Sequence, residues 1–396
     1  MRKEWTIVFV VYLASVIVIL NQFKVPPLMG VLMQQFQVNA TVGGFLMSVF
    51  ALTGIIMALP AAVLLSRFGP RSSGIVGLSC IFAGCIVGAT TSTLFILMAG
   101  RIIEGVGLSL IAVIAPAVIA MYFRHDKLGL PMGVWATWYP VGSTIAYNIS
   151  HPITEAFGNW RGSWWFGGIL ALIALVVYAI VVKKPSAGER YGRASNFTAA
   201  TPYLAGLKTP QIWLLGFSFL FMMIGSLGFL TWAPTYFREA FGFSQITANS
   251  YASLGFLWSV PGGILAGFLL TKTRKQNSIL IACAVLSALT YPIGFLVPQA
   301  VLVSYLAVIG FITGFTCALI FAMVPVVMGN RALTGLGMGV MAMMQSVANL
   351  VATPLFGYIT ADGRWSQAFL PTVSILIIGV IFTISLAKVK KTVQVR

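Results

Sequence analysis

Residues 41–71 read TVGGFLMSVFALTGIIMALPAAVLLSRFGPR, an apolar run over 41–65 followed by Arg67 and Arg71. A membrane-spanning helix needs about 20 apolar residues. The same alternation of a long apolar run and a short polar gap repeats along the chain, which is 59% hydrophobic and 8% charged. So little polar surface cannot cover a soluble protein of 396 residues. The sequence therefore predicts an all-α, multi-pass membrane protein.

Twelve apolar segments are long enough to serve as spans, six on each side of a polar central stretch. We predict spans at 6–33, 41–65, 73–92, 94–122, 130–150, 163–183, 210–237, 247–271, 277–297, 300–326, 334–358 and 366–387. The central stretch has glycine, proline and serine but no apolar period, so 184–209 is predicted to be a cytoplasmic linker. It separates an N-terminal half, 1–183, from a C-terminal half, 210–396.

Basic residues predict the topology. All but five of the 24 lysines and arginines fall in the gaps after even-numbered spans or at the two termini. Because short cytoplasmic loops retain Lys and Arg, both termini are predicted to be cytoplasmic, in a cytoplasmic (inner) membrane. The net charge of +17 suits anionic lipid headgroups, and no nucleic-acid partner is expected. Lys24 and Arg101 are exceptional because both lie inside apolar segments.

The two halves share a repeat. Residues 133–165 can be laid over 339–369 with a shift of about 205 residues, which brings Pro152 near Pro354. Two pseudo-symmetric six-helix halves are how many secondary transporters build a central site that opens to alternate sides. The repeat favours transport over catalysis.

The sequence predicts no cofactor and no metal. Cys80, Cys85, Cys283 and Cys317 lie in apolar runs without metal spacing, and they do not form a disulfide framework. No glycine-rich nucleotide loop is present, so ATP is not expected to supply the energy. No cleavable signal peptide is evident.

The loop after the second span resembles a signature of the major facilitator superfamily, G-x-x-x-D-R-x-G-R-R. Arg67, Gly69 and Arg71 match this signature and are predicted to form a gating loop, whereas Ala62 and Ser66 replace its first glycine and its aspartate. The contacts that the family makes through that aspartate therefore cannot be carried over. The resemblance covers essentially the whole chain and implies a twelve-helix monomer.

Span four is similar to the family motif R-x-x-x-G-x-G through Arg101, Gly105 and Gly107. The segments 21–27 and 132–143 resemble the cyanate and nitroimidazole permease-like branch, which adds Asn21 and Gln22 to the candidate substrate-binding residues. Segment 132–143 also partly resembles the antiporter motif of drug exporters.

Lys24 is the first candidate for chemistry. A charge within hydrocarbon costs about 2.5 to 3.5 kcal/mol on insertion scales, so such residues usually face a cavity or a partner. Pro26 and Pro27 follow Lys24 and are expected to bend the helix there. An ammonium group in that bend would attract an anion. The alternative is that span one ends near Leu20 and leaves Lys24 in an outer loop or at the interface.

Arg101 and Glu104 are one helical turn apart, so their side chains share a face and can pair. Glu104 is the acidic residue that falls within a predicted span, which makes it the candidate for a carboxylate that takes up a proton during transport. The alternative is a structural pair that braces span four.

Aromatic and amide side chains complete the predicted substrate site. The candidates are Trp138, Tyr139, Tyr147, Trp232, Tyr236, Gln345 and Asn349. Packing alone also explains many such amides. Trp and Tyr also populate the membrane interface, and Trp160, Trp164, Trp165 and Trp365 are interpreted as interface residues.

These observations predict a secondary active transporter that moves a small organic anion by alternating access. Lys24 and Arg101 are predicted to bind and neutralise the anion, and a proton is cotransported through Glu104. A proton-coupled exporter of hydrophobic or cationic drugs is the alternative. The small number of acidic residues in the spans argues against a cationic substrate. An intramembrane enzyme is disfavoured because His125 and His151 assemble no catalytic set. A transporter-like sensor without transport activity is also disfavoured, because no soluble signalling domain is expected from the sequence.

Overall fold

A computed structural model describes residues 2–57, 60–123, 129–183, 207–273, 275–329 and 333–389. These ranges are helical apart from short connections, and they contain no β-strand. We label the α-helices α1 Arg2–Phe23, α2 Met29–Phe36, α3 Ala40–Met57, α4 Pro60–Thr90, α5 Leu94–Tyr122, α6 Gly129–Ala136, α7 Trp138–Ala156, α8 Arg161–Val181, α9 Pro210–Phe241, α10 Gln245–Leu257, α11 Ser259–Lys272, α12 Gln276–Thr290, α13 Leu302–Met328, α14 Thr334–Ile359 and α15 Phe369–Lys388. Short 3₁₀ helices lie at Pro26–Leu28, Pro292–Leu296, Gln299–Val301, Ala361–Gly363 and Trp365–Ala368.

Within the described residues, eleven helical segments are long and apolar enough to cross a membrane. They correspond to all the predicted spans except the fifth. The fifth predicted span, 130–150, is instead the short helix α6 followed by α7, whose C-terminal half includes Asn148, His151 and Glu155. The multi-pass, all-helical architecture predicted from the apolar runs is confirmed.

Prolines explain why several spans are broken. A proline has no N–H for the carbonyl four residues earlier, so a helix tends to break in the preceding turn. Pro26 and Pro27 follow the end of α1, Pro140 follows the break between α6 and α7 at Thr137, and Pro261 follows the break between α10 and α11 at Trp258. The first span is therefore two helices joined by a 3₁₀ turn rather than one continuous helix over 6–33.

The predicted loop at 67–71 differs from the observed structure. Helical backbone extends through α4 on both sides of Gly69, and Gly69 alone departs from it, with φ 78° and ψ 170°. This positive φ favours glycine because it carries no Cβ. The second predicted span therefore consists of α3 and the start of α4.

The chain forms two compact units, Met1–Val38 with Val49–Thr198, and Asn39–Ser48 with Ala199–Arg396. The division falls within α3, so the first unit does not take up the whole of the predicted half 1–183. The predicted linker 184–209 lies outside the described residues except for 207–209. The boundaries of the two halves therefore remain a prediction.

In the first unit, glycines let α4 and α5 approach closely. A Cβ on Gly84 would lie 2.5 Å from the carbonyl oxygen of Gly100, and one on Gly107 would lie 2.5 Å from that of Gly77. Apolar residues of α1, α4, α5 and α8 form the core around this contact, among them Ile7, Leu78, Ile81, Leu110, Ile114 and Ala171. Small residues at such contacts are typical of helix packing in membranes.

Candidate functional site

Three charged side chains meet inside the first unit, between α1, α4 and α5. Glu104 accepts a hydrogen bond from Lys24 Nζ at 3.0 Å through Oε1, and one from Arg101 Nη1 at 2.5 Å through Oε2. All three are buried: Lys24 is 1% exposed, and Arg101 and Glu104 are 0% exposed. The pairing expected between Arg101 and Glu104 is present. The burial of Lys24 rules out the outer-loop and interface positions.

Arg101 also caps the broken end of α1. Its Nη1 donates to the backbone oxygen of Asn21 at 2.7 Å, and its Nη2 donates to that of Gln22 at 2.8 Å. The carbonyl of Gln22 would ordinarily receive the N–H of residue 26, which is a proline. A cation at a helix C-terminus also complements the helix dipole. Arg101 thus replaces the hydrogen bond that Pro26 removes from Gln22, and it also satisfies the carbonyl of Asn21 at the end of the helix.

The Lys24 ammonium group has three donors, and each has an acceptor. Besides Glu104, Nζ donates to Asn21 Oδ1 at 2.9 Å and contacts Cys85 Sγ at 3.4 Å. The Cys85 thiol itself donates to Asn21 Oδ1 at 3.1 Å. The indole of Trp164 covers the ammonium group, with its ring centroid 4.6 Å from Nζ. Such a cation–π contact is worth more when it is desolvated.

Two glycines of α4 make room for this arrangement. A Cβ on Gly84 would lie 2.6 Å from Glu104 Cγ, and one on Gly88 would lie 2.2 Å from Trp164 Cδ1. Glu104 and Trp164 therefore reach their places only because these positions lack side chains.

The cluster carries an excess of positive charge. Lys24 and Arg101 provide two cations, and Glu104 provides one carboxylate. Within the described residues, no other lysine, arginine, aspartate or glutamate is buried. A proton on Glu104 would remove the carboxylate charge that Lys24 and Arg101 share, so a second anion could then take its place. This arrangement can couple proton binding to anion binding.

The aromatic candidates of the fifth span lie beside the end of α1. Phe23 packs edge-on against Tyr139, with ring centroids 5.4 Å apart, and against Tyr147 at 6.3 Å. Trp138 stacks on Trp135 at 5.4 Å. Tyr147 is fully buried, whereas Trp138 and Tyr139 are half-buried. Trp138 and Tyr139 therefore have ring surface left for a ligand, whereas Tyr147 does not.

The remaining predicted substrate residues belong to the second unit. The indole of Trp232 is 1% exposed and donates to the backbone oxygen of Thr353 at 2.9 Å. Tyr236 packs against Trp365 at 5.4 Å within an aromatic cluster. Gln345 is half-buried and Asn349 is buried, on one face of α14. The indole N–H of Trp232 is thus already paired inside its own unit.

The second unit contains a polar network without formal charge. The Tyr291 hydroxyl contacts Thr313 Oγ1, lies 3.1 Å from Ser226 Oγ, and lies 3.3 Å from the backbone oxygen of Ile309. This network links α9, the end of α12 and α13. Shifting residues 21 and 85 of the charged cluster by about 205 positions gives Ser226 and the neighbourhood of Tyr291. The two units therefore hold polar networks at matching places along the repeat.

The predicted gating loop makes its contacts within the first unit. Arg71 Nη2 donates to the carbonyl of Ala179 at 2.9 Å, and the Tyr178 hydroxyl donates to the carbonyl of Pro70 at 3.0 Å. Arg67 is exposed beside Phe68. These contacts fasten the bend at Gly69 to the C-terminal turn of α8.

Sequence reasoning missed two members of the cluster and misplaced others. Trp164, interpreted as an interface residue, is fully buried against Lys24, and Trp160 and Trp365 are also buried. Trp165 is 38% exposed and fits that interpretation better. Cys85 had no signal beyond its apolar surroundings. Among the described residues, no group of His, Cys, Asp and Glu could hold a metal ion.

Helices broken by prolines around a buried ion cluster are typical of membrane transporters. A family model described as Major Facilitator Superfamily matches residues 11–334. The chain belongs to the Major Facilitator Superfamily.

Curated relatives agree with this membership. The chain is 28% identical to protein spinster homolog 3 of Homo sapiens, over 56% of the chain and 45% of that protein. It is also 28% identical to a chloramphenicol resistance protein of Streptomyces lividans, over 62% of the chain and 59% of that protein. The chain thus spans about half the length of the curated relatives it matches.

The fold is also that of a solved transporter. The crystal structure of a D-xylose-proton symporter superimposes with a TM-score of 0.75 at 16% identity, and it covers 98% of both chains. At this identity the likeness concerns the fold alone.

Proposed function

We propose that this protein is a secondary active transporter that carries a small organic anion together with a proton by alternating access. The observation that carries the proposal is the sharing of the Glu104 carboxylate by Lys24 and Arg101 in a buried site. A buried charge without a partner is costly, so the protonation state of Glu104 decides whether these cations need another anion.

In the proposed cycle, a proton neutralises Glu104 and weakens its bonds to the two cations. The Lys24 ammonium then donates to the carboxylate of an incoming substrate, while Arg101 keeps its bonds to the carbonyls of Asn21 and Gln22. Loss of the proton on the other side restores the Lys24–Glu104 pair and displaces the substrate. One proton and one monoanion cross together, so the step moves no net charge.

The half-buried ring faces of Trp138 and Tyr139 are proposed to cover the apolar part of the substrate. Gln345 and Asn349 are also proposed as substrate-binding residues. Such a site binds a carboxylate through cations and the rest of the molecule through ring faces and amides.

Location and orientation are part of the proposal. The bacterial relative and the pattern of basic residues support a cytoplasmic membrane with both termini on the cytoplasmic side. Reporter fusions at the two termini should therefore both report the cytoplasm. A monomer is proposed because most of its superfamily act as monomers.

A proton-coupled exporter of hydrophobic or cationic drugs is the second candidate. The stacked, half-buried pair Trp135 and Trp138 favours it, as does the likeness to a chloramphenicol resistance protein. A flat aromatic surface binds apolar rings and cations alike.

Thermal stabilisation of the purified protein separates the two candidates, because a ligand of the folded state raises its melting temperature. Small carboxylates, cyanate-like anions and lipophilic cations are compared on the wild type and on Lys24→Ala, with the exposed Lys275→Ala as control. Stabilisation by an anion that disappears only in Lys24→Ala supports the proposal. Stabilisation by cations alone, or an anion effect that does not depend on Lys24, favours the exporter.

Coupling is tested with the same anion. Because coupling between sites is reciprocal, an anion that binds better to protonated Glu104 must make the protein take up protons when it binds. Addition of the anion to a weakly buffered sample should raise the pH for the wild type and for Glu155→Gln, whose carboxylate is 60% exposed. Glu104→Gln should lose the pH change and should lose proton-driven accumulation, while it keeps exchange. Accumulation that survives in Glu104→Gln would refute this role.

A further inference from the structure

Gln22 has a buried hydrogen-bond acceptor that no described residue satisfies. Its side chain is 2% exposed, and Oε1 has no hydrogen-bond partner. Buried polar atoms in folded proteins nearly always have partners, so an exception requires a physical reason.

The side-chain amide of the neighbouring Asn21, by contrast, has hydrogen-bond partners for both its oxygen and its nitrogen. Asn21 Oδ1 accepts from Lys24 and Cys85, and Nδ2 donates to the carbonyls of Ile17 at 3.0 Å and Gly167 at 3.4 Å. The same turn of α1 therefore satisfies one carboxamide completely and leaves the oxygen of the next without a donor.

The free acceptor belongs to the charged cluster. The backbone oxygen of Gln22 is bound to Arg101, whose other terminal nitrogen is bound to Glu104. Gln22 directly follows Asn21 in the last turn of α1, so its buried carboxamide extends from the turn that Arg101 caps. A molecule whose carboxylate replaces Glu104 at Lys24 would bind against the same turn of α1 that carries this acceptor.

We infer that Gln22 Oε1 accepts a hydrogen bond from an N–H or O–H group of the transported anion. The substrate class is then a carboxylate with a donor close to it, such as a hydroxy acid or an N-acyl amino acid, rather than a simple fatty or inorganic anion. This inference rests on the proposed anion transport. A site that contains an unpaired polar group rejects analogues that lack the matching group.

Matched pairs of anions test the inference on the full-length protein. Lactate is compared with propionate, and N-acetylglycine with 4-oxopentanoate, because each pair differs only in the donor. The half-saturating concentration for thermal stabilisation is expected to be about tenfold lower for the donor-bearing member of at least one pair. In Gln22→Met this ratio should fall to about one, whereas the exposed Gln34→Met should keep it.

Thermal stability without ligand tests whether Gln22 only supports the fold, because a structural role predicts that Gln22→Met lowers the melting temperature. Gln22→Met removes an unpaired acceptor, so its melting temperature without ligand should not fall below that of the wild type. A wild-type ratio near one for both pairs, or a ratio that persists in Gln22→Met, overturns the inference. A wild-type ratio near one overturns the inference even if the variant does not fold.

The proposed function fails separately from this inference. Equal binding within each pair that still depends on Lys24 overturns the role of Gln22 alone. Binding of none of the four anions, or binding indifferent to Lys24, removes anion transport and the inference with it.

Discussion

Arg101 Nη2 donates to the backbone carbonyl of Gln22 at 2.8 Å, in the turn where the first span loses its helical hydrogen bonds. The same guanidinium group holds Glu104 through Nη1. The side chain that positions the candidate proton-binding carboxylate therefore also holds the end of α1. A change in the protonation state of Glu104 therefore acts on Lys24 by direct contact, and on Gln22 through the guanidinium group of Arg101.

Arg101→Lys should destabilise the protein. An ammonium group cannot reproduce the planar fork that serves Glu104 and two carbonyls at once. Loss of charged hydrogen bonds in a buried site should cost about 3 kcal/mol of unfolding free energy, measured as a lower melting temperature. Arg238→Lys is the control because Arg238 is 41% exposed and makes only a 3.9 Å contact with Glu239. Equal melting temperatures for the two variants would contradict the capping role.

Charge balance predicts non-additive effects of Glu104→Gln and Lys24→Met. Glu104→Gln removes the negative charge that the two buried cations share, whereas adding Lys24→Met removes one of those cations. The double variant should therefore be more stable than Glu104→Gln, by about 1 kcal/mol or more, although it has one more substitution. Melting temperatures of the wild type, both single variants and the double variant measure this. A double variant less stable than Glu104→Gln would show that the excess charge is not a source of strain.

Gly88→Ala should disturb Lys24 through Trp164. The new Cβ would lie 2.2 Å from Trp164 Cδ1 and 2.4 Å from Nε1, so the indole must move from the ammonium group. Overpacking should cost about 1 to 3 kcal/mol, and anion binding should weaken with it. Gly133→Ala is matched to it, because a Cβ there meets nothing within 4 Å. If Gly88→Ala binds anions as tightly as Gly133→Ala, Trp164 has no part in holding Lys24.

Trp232→Phe separates packing from substrate binding. It removes the hydrogen bond to the Thr353 carbonyl, so a loss of about 1 kcal/mol in stability is expected. The half-saturating anion concentration should stay within about twofold of the wild type. Trp258→Phe, at a residue that is 43% exposed, controls for loss of an indole. A large rise in that concentration for Trp232→Phe alone would restore its predicted role in the substrate site.

The sequence contains the local part of the cluster but not its assembly. Arg101 and Glu104 are three residues apart on a helix, so helix geometry predicts that they pair. Pro26 and Pro27 likewise predict a helix break near Lys24. The contact of Lys24 with Glu104 joins residues 80 positions apart and depends on how α1 packs on α5. No local pattern specifies that packing.

Trp164 shows why the remainder could not be predicted. Trp160, Trp164 and Trp165 begin a span, as interface residues do, and only the packing of α8 on α4 distinguishes Trp164 from them. That packing depends on Gly88, which carries no sign of its role in a glycine-rich sequence. The break at Thr137, by contrast, could have been predicted from the sequence, because Pro140 has no N–H to continue the hydrogen bonds of the preceding helical turn.

The uncharged network of Ser226, Tyr291 and Thr313 in the second unit has an evolutionary consequence. It lies where the repeat places the counterpart of Asn21 and Cys85, and it joins the corresponding helices by hydroxyl groups. Gene duplication followed by divergence would account for this arrangement, in which both halves have polar links between corresponding helices and one of them carries ionisable groups. Homologues that differ in coupling ion should then vary at positions 24, 101 and 104, while their C-terminal hydroxyl network changes less.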